Sequence, residues 1–438
     1  MKVRSLLKSS DGKNYLLPFI LVTLCFALWG FANDITNPMV KAFSKIFRMS
    51  VTDGALVQVA FYGGYFAMAL PAALFVKRFS YKSGLLMGLG LYAIGALSFI
   101  PAKTTGSYYP FLIAYFILTC GLSFLETSAN PYILSMGESA TATRRLNLAQ
   151  AFNPVGSLMG MYVAMHFIQS RMSPLSTAER ASLTDSEFEL LKQSDLSVLV
   201  TPYAILGLVI VAIFVGMLLA KMPKWKTEQT DDTRLRPTFV RLFSNRRYRE
   251  GVIAQFFYVG VQIMCWTFII QYGTKVFMAE GMTEQAAEVL SQKYNMLAMC
   301  LFCISRFVCT FLLKYINPGK LLSILAVAGS LLLIAVIFID DRLGLYCLVA
   351  VSGCMSLMFP TIYGIALEGV GDDAKIGAAG LIMAILGGSV LPPLQAKIID
   401  AGTVMGMPAV NISFILPIIC FIVIAKYGLR NIAVSVNE

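Results

Sequence analysis

Glu126 is a carboxylate in the middle of an apolar segment, 108–136, with no cation near it in the sequence. A charge at the centre of a membrane-spanning helix costs about 2.5–3.5 kcal/mol on insertion scales, so such residues are usually functional. Small and polar residues surround it in the run Gly121–Pro131, which includes Asn130. The run predicts the lining of a hydrated cavity. Because burial favours the neutral form of a carboxyl group, Glu126 is predicted to bind and release protons.

A second acid, Asp34, lies in the first apolar segment, directly after Asn33. Asp34 and Asn37 are three residues apart, so on a helix they share one face. The pattern predicts proton coupling at Asp34 and substrate contacts from Asn33 and Asn37. The alternative interpretation of Asp34 is a helix-end residue near the outer interface.

Asparagine precedes proline three times in the N-terminal half, at Asn37-Pro38, Asn130-Pro131 and Asn153-Pro154. Proline removes a backbone donor and frees a carbonyl, and such irregular backbone at membrane depth is tolerated only inside protein or against water. Gln150 and Asn153 are again three residues apart, and amides can bond to sugar hydroxyls. These residues are predicted to contact a substrate; ordinary helix kinks and hydrogen bonds between helices are the alternatives.

Polar and aromatic residues also recur along one stripe of the seventh apolar segment. The stripe is formed by Gln255, Tyr258, Gln262 and Trp266, at spacings of three and four residues. Rings stack on the C–H faces of sugars while amides bond to hydroxyls, so the stripe favours a carbohydrate, with plain helix packing as the alternative. Asn295 and Tyr363 are further candidates for substrate binding. For Arg306, snorkelling, pairing with an acid and binding carbonyls remain open.

Helices that cross a membrane must position these side chains. Hydrophobic residues make up 57% of the chain and charged residues 13%, with a mean hydropathy of +0.72. Soluble domains contain about 25% charged residues, whereas a spanning helix needs about 20 mostly apolar ones. We identify twelve apolar segments, at 15–40, 53–76, 84–102, 108–136, 146–169, 197–221, 251–274, 289–313, 320–339, 344–368, 377–398 and 408–427.

The segments divide into two halves of six. Residues 1–221 are predicted to form an N-terminal six-helix bundle, 222–250 a basic cytoplasmic linker, and 251–438 a C-terminal six-helix bundle. With both termini in the cytoplasm, the cytoplasmic side carries 23 Lys and Arg residues against 11 outside, as the positive-inside rule requires. Two similar halves suggest a carrier that works by alternating access, with its site between them.

The net charge of +11 follows from these loops and does not indicate a nucleic-acid partner. Motifs of metalloproteases, serine hydrolases and nucleotide-binding proteins are absent from the sequence, so we expect no enzyme activity and no cofactor or metal. Without a nucleotide site, transport must use an ion gradient.

The chain resembles the major facilitator superfamily and, within it, the fucose–galactose–glucose:proton symporter family, over nearly its whole length. The motifs that carry the resemblance are Leu28–Asn33, Phe61–Phe66, Ser80–Gly84, Gly121–Pro131, Arg145–Asn153, Ala254–Gln262 and Pro360–Ile362. The resemblance implies an all-α membrane protein with the major facilitator fold, twelve transmembrane helices in two pseudo-symmetric six-helix bundles. It also implies coupling at Glu126 and sugar contacts from Gln150 and Asn153. The family's second coupling aspartate maps to Asn37, and Asp34 stands one turn before it.

These observations predict a monomeric symporter of the bacterial inner membrane that imports a monosaccharide with a proton, L-fucose being the leading substrate. Its partners would be the sugar, the proton and membrane lipid. The alternatives are a carrier of galactose, glucose, an N-acetylated amino sugar or another small solute, an exporter, and a transport-dead sugar sensor.

Overall fold

The computed structural model describes most of the chain, and nearly all of the described chain is helical. The described residues are 15–36, 39–49, 53, 56–173, 175, 177–222, 235–399, 401–404 and 406–432. In hydrocarbon no water is available to the backbone, and an α-helix satisfies its polar groups internally. Within the described residues, strands occur only in a short antiparallel hairpin, Thr403–Val404 with Met407–Pro408.

Two compact units make up the described chain. The first contains residues 15–133 and 152–222, and the second contains residues 134–151 and 235–432. The helices of the first unit are α1 (Leu16–Thr36), α2 (Met39–Ile46), α3 (Leu56–Arg78), α4 (Tyr81–Leu97), α5 (Phe99–Thr105), α6 (Tyr109–Ser135, whose last two residues belong to the second unit), α8 (Phe152–Val163), a π-helix (Ala164–Gln169), α9 (Thr177–Ala181) and α10 (Asp185–Leu219).

Small residues let the helices of the first unit pack at close range. A Cβ at Gly30 would lie 2.0 Å from the carbonyl oxygen of Asn153, and one at Gly156 would lie 1.9 Å from that of Ala27. Helix α1 therefore packs on α8 backbone to backbone, as glycine permits.

The second unit includes the short helix between α6 and α8. Its α-helices are α7 (Ala142–Gln150), α11 (Leu235–Ser244), α12 (Arg246–Ala279), α13 (Glu284–Leu312), α14 (Pro318–Phe338), α15 (Arg342–Met355), α16 (Met358–Ala366), α17 (Ala374–Met383), α18 (Gly387–Ile399), α19 (Ala409–Ile412) and α20 (Ile415–Arg430). Single 3₁₀ turns cover Ser139–Thr141, Gly371–Asp373 and Ala384–Leu386.

Glycine contacts and buried hydrogen bonds hold the second unit together. A Cβ at Gly319 would lie 2.8 Å from the carbonyl oxygen of Gly428, so α14 and α20 pack closely. The hydroxyl of Tyr248 on α12 donates to the carbonyl of Gly377 on α17, at 2.9 Å. Both partners are buried, so they depend on each other for hydrogen bonding, and the bond links α12 to α17.

Eleven helical stretches in the described residues are long and apolar enough to cross a membrane. The remaining predicted segment, 146–169, is divided among α7 (9 residues), α8 (12 residues) and the π-helix, each too short alone. The tenth segment is also divided, between α15 and α16. By contrast, α6 runs through Pro131 without a break, so the predicted kink at that Asn-Pro pair does not interrupt the helix.

Helices extend into two stretches that lie between the predicted apolar segments. Residues 170–196 separate the fifth and sixth segments, but α10 already begins at Asp185, because Thr184 and Glu187 form a capping box. The basic stretch 222–250 contains α11 and the first turn of α12, whose N-cap is Asn245.

Candidate functional site

Glu126 lies near the middle of α6, where the helix is buried on every side. All residues from Leu118 to Ile133 are buried, and Glu126 is 2% exposed. Among the described residues, neither of its carboxylate oxygens has a hydrogen-bond partner. A buried ionised carboxylate needs a counter-charge or hydrogen-bond donors, and the described residues supply no donor to these two oxygens. Protein encloses the side chain, which does not face lipid.

Hydroxyl and amide groups cluster around this part of α6. The side-chain amide of Asn130 donates to the backbone carbonyl of Glu126 at 2.9 Å, and the Ser123 hydroxyl donates to the carbonyl of Tyr65 at 3.1 Å. The buried hydroxyl of Thr127 has no partner among the described residues. The phenol of Tyr65 is close enough to Glu126 for an electrostatic interaction. The acid therefore has polar neighbours although its own oxygens receive no hydrogen bond from them.

Asp34 is buried near the C-terminal end of α1, at 9% exposure, and Asn33 beside it is half-buried. Asn37 lies outside the described residues. Asp34 interacts electrostatically with Tyr62 on α3, one turn before Tyr65. Residues three apart share a helix face, so Asp34 and Glu126 each have a tyrosine from the same face of α3 nearby.

Asn153 lies at the crossing of α1 and α8. Its amide donates to the carbonyl of Phe26 at 3.3 Å, and its own carbonyl lies against Gly30. The side chain is half-buried. Asn153 thus joins two helices in addition to any contact with substrate.

Gln150 is the last residue of α7 and is buried in the second unit. Gln150 and Asn153 do not lie on one continuous helix, because α7 ends before Ala151 and α8 begins after it. Helix α7 packs on α16, where the amide of Asn147 donates to the Thr361 hydroxyl at 3.1 Å. The two amides that were predicted as one pair therefore belong to different units.

The predicted stripe lies along α12. Gln255 and Tyr258 are fully buried, and the Gln255 amide and the Tyr258 hydroxyl have no hydrogen-bond partner among the described residues. Gln262 and Trp266 are half-buried, and the Trp266 indole donates to the Ser352 hydroxyl at 3.2 Å. Buried polar groups are nearly always paired. The unpaired groups at Gln255 and Tyr258 therefore favour the interpretation that they bind a ligand over the interpretation that the stripe serves only helix packing.

Aromatic rings from α12 and α16 surround these groups. Phe359 lies between Tyr258 and Tyr363, with ring centroids 6.2 and 6.3 Å away. Asn295 on α13 is half-buried, and its amide oxygen has no partner among the described residues. The second unit therefore combines rings with free amide and hydroxyl groups, the chemistry that binds sugars.

The sequence leaves three roles open for Arg306. In the structure, its side chain binds two backbone carbonyl groups. Its guanidinium donates to the carbonyls of Gln150, at 3.0 Å, and Ser356, and it stacks over the Phe302 ring, 4.6 Å from the centroid. No ion pair with an acid involves Arg306 in the described part of the chain. The prolines four residues after each carbonyl, Pro154 and Pro360, are the sequence signal for this arrangement.

Comparison with known proteins gives one family. The model of the Major Facilitator Superfamily matches residues 22–393. An L-fucose-proton symporter of Haemophilus influenzae is 51% identical over 95% of this chain and 97% of its own length, and a glucose/galactose transporter of Brucella abortus is 31% identical over 96% of each chain. The crystal structure of the Major Facilitator Superfamily transporter FucP in the outward conformation matches with a TM-score of 0.86 and 31% identity, over 95% of this chain and 99% of that one. The predicted fold class is confirmed: this chain belongs to the Major Facilitator Superfamily.

Proposed function

We propose that this protein is a proton-coupled monosaccharide symporter that works by alternating access, with L-fucose as its leading substrate. The observation that carries the proposal is Glu126, a buried acid in a spanning helix whose carboxylate oxygens have no partner among the described residues. A relative that is 51% identical over almost its full length is an L-fucose-proton symporter, which supports the same activity.

Glu126 and Asp34 are the proton-coupling residues in this proposal. A proton taken up from outside neutralises the buried acid, which lowers the cost of keeping it away from water. Its release on the inner side restores the charged form. Moving one charge through 100 mV is worth about 2.3 kcal/mol, which corresponds to roughly 50-fold accumulation of a neutral sugar.

The sugar is proposed to bind to amides, hydroxyls and rings. The candidates are Asn33, Asn37 and Asn130 with Asn153 from the N-terminal half, Gln150 from α7, and Tyr258, Gln262, Trp266, Asn295 and Tyr363 from the C-terminal half. Tyr258 has the strongest support, since its buried hydroxyl has no partner among the described residues and its ring lies beside Phe359.

The cellular setting is part of the proposal. We infer a monomer in the bacterial inner membrane with both termini in the cytoplasm. Residues 1–221 and 251–438 act as the two six-helix bundles, and the basic stretch 222–250 links them. The imported sugar and proton are its partners, together with membrane lipid, and no reaction is catalysed.

A glucose or galactose carrier is the second candidate, favoured by the Brucella abortus relative. Both candidates predict uptake driven by a pH gradient, and they differ in the sugar. In proteoliposomes, labelled L-fucose uptake should be competed most strongly by unlabelled L-fucose. Stronger competition by galactose or glucose would replace L-fucose as the substrate.

The coupling role is tested in the same vesicles with Glu126→Gln. We expect this variant to exchange L-fucose across the membrane but to lose accumulation against a gradient. Glu189→Gln is the matched control, because Glu189 is an exposed glutamate that is half accessible to solvent. Uphill accumulation by Glu126→Gln at the wild-type level would contradict the role of Glu126.

A further inference from the structure

Arg306 occupies an unusual position for a cation. It lies on the spanning helix α13, is 3% exposed, and forms no ion pair with the acids of the described residues. A buried charge is costly unless hydrogen bonds or a counter-charge compensate it. The compensation here comes from two backbone carbonyls and the face of the Phe302 ring.

Both carbonyls are ones that proline has freed. In an α-helix the carbonyl of residue i accepts from the N–H of residue i+4. Residue 154, four after Gln150, and residue 360, four after Ser356, are both prolines and have no N–H. The nitrogens of Arg306 donate to these two carbonyls. We call this arrangement, Arg306 with the carbonyls of Gln150 and Ser356, the Arg306 bridge.

The helical bonds around the freed carbonyls are otherwise kept. The Ala151 N–H donates to Asn147 at 2.9 Å, and the Thr361 N–H donates to Leu357 at 3.2 Å. Ala151 and Ser356 have helical dihedral angles, with φ of −63° and −57°. The bridge therefore supplies a donor where each proline has removed one.

The bridge is placed among candidate sugar ligands. Gln150, a candidate itself, carries one of the two carbonyls, and Tyr258 is within electrostatic range of the guanidinium. The amide of Gln150 extends from the last residue of α7, beside the carbonyl that the bridge holds. Without the bridge, this end of α7 would lose the hydrogen bond from Arg306 to its last carbonyl, and the Gln150 amide would be held less firmly.

We propose that Arg306 is a positioning residue for substrate binding: by holding the carbonyls that Pro154 and Pro360 free, it fixes the amide of Gln150 for the sugar. The inference rests on the proposed function, since it takes a monosaccharide as the ligand. Pre-organisation of a ligating group lowers the cost of ordering it on binding. Loss of the bridge should therefore act on affinity more than on the rate of the loaded carrier.

The test compares Arg306→Met with the unaltered protein, using labelled L-fucose and purified full-length chain. We expect the Kd to rise about tenfold while the maximal exchange rate in proteoliposomes changes less than twofold. Gln150→Ala should weaken binding similarly, and should add little in the Arg306→Met background, because both changes act through one contact. Thermal unfolding identifies any loss of folded protein.

Two proline variants distinguish the positioning of Gln150 from a general stabilisation of the surrounding helices. Pro154→Ala returns an N–H to the Gln150 carbonyl and should recover part of the affinity lost in Arg306→Met. Pro360→Ala, the matched control, returns one to Ser356 and should recover none. An unchanged Kd in Arg306→Met, or equal recovery by both proline variants, overturns the positioning role alone. Failure of the unaltered chain to bind any monosaccharide overturns the proposed function and this inference together.

Discussion

The side-chain amide of Asn130 donates to the backbone carbonyl of Glu126, 2.9 Å away and one helical turn earlier. This bond uses the backbone of Glu126 and leaves both carboxylate oxygens without a hydrogen-bond partner among the described residues. Glu126, the proposed coupling acid, is thus buried, and no cation of the described chain forms an ion pair with it. A proton can neutralise it instead.

Asp34 should be as important for coupling as Glu126. Asp34→Asn removes the buried carboxylate that interacts with Tyr62, and we expect it to abolish uptake driven by a pH gradient. Because Asn37 follows Asp34 by three residues in the sequence, Asn37→Asp should restore part of the uptake in the Asp34→Asn background. Uptake of labelled L-fucose into vesicles measures both. Full activity in Asp34→Asn alone would exclude the second acid from coupling.

Two tyrosines of α12 should respond in opposite ways to loss of the hydroxyl. Tyr258 has a buried hydroxyl without a partner in the described chain, so Tyr258→Phe should not lower the unfolding temperature but should weaken sugar binding about fivefold to tenfold. Tyr248 donates to Gly377, so Tyr248→Phe should cost about 1 kcal/mol of stability with normal binding. Thermal unfolding measures the stability of each variant, and a binding assay with labelled sugar measures its affinity. Normal affinity in Tyr258→Phe would remove its hydroxyl from the site.

The ion pair between Arg180 and Asp195 should stabilise the first unit. The two side chains are 0% and 2% exposed, with 2.6 Å between nitrogen and oxygen. Asp195→Asn leaves a buried cation and should cost about 3–5 kcal/mol. The pair of Lys192 and Glu189 is the control: the Glu189 side chain is 52% exposed, so Glu189→Gln should cost at most about 1 kcal/mol. Equal unfolding temperatures for the two variants would contradict the contribution of the buried pair.

The close approach of α1 and α8 should make Gly156 intolerant of any side chain. A Cβ there would lie 1.9 Å from the Ala27 carbonyl oxygen, so Gly156→Ala must push the helices apart. Gly216 has nothing within 4 Å of the same position, and Gly216→Ala should be harmless. The yield of folded protein and its unfolding temperature test this contrast. A normal yield of Gly156→Ala would show that the contact can relax.

The sequence was sufficient to identify the membrane class and the acids, because both signals are local. Apolar runs of about 20 residues predict spanning helices wherever they occur, and an isolated carboxylate such as Glu126 is conspicuous within one. The capping box that starts α10 at Asp185 is also local, and could have been recognised from Thr184 and Glu187.

The positions of the helix breaks and the hydrogen-bond partners of the site residues could not be predicted in the same way. Pro131 leaves α6 continuous, whereas the segment that contains Pro154 is divided at Ala151. The Arg306 bridge depends on residues 156 and 50 positions away in sequence. Such contacts follow from tertiary packing, and a single sequence does not determine which freed carbonyl meets which donor.

Sugar-induced proton movement tests the central claim most directly. When L-fucose is added to de-energised vesicles, the unaltered protein should carry protons inward, and the external medium should become more alkaline. Glu126→Gln should show no pH change while still exchanging labelled L-fucose, and Glu189→Gln should behave as the unaltered protein does. Alkalinisation of normal size in Glu126→Gln would contradict the account.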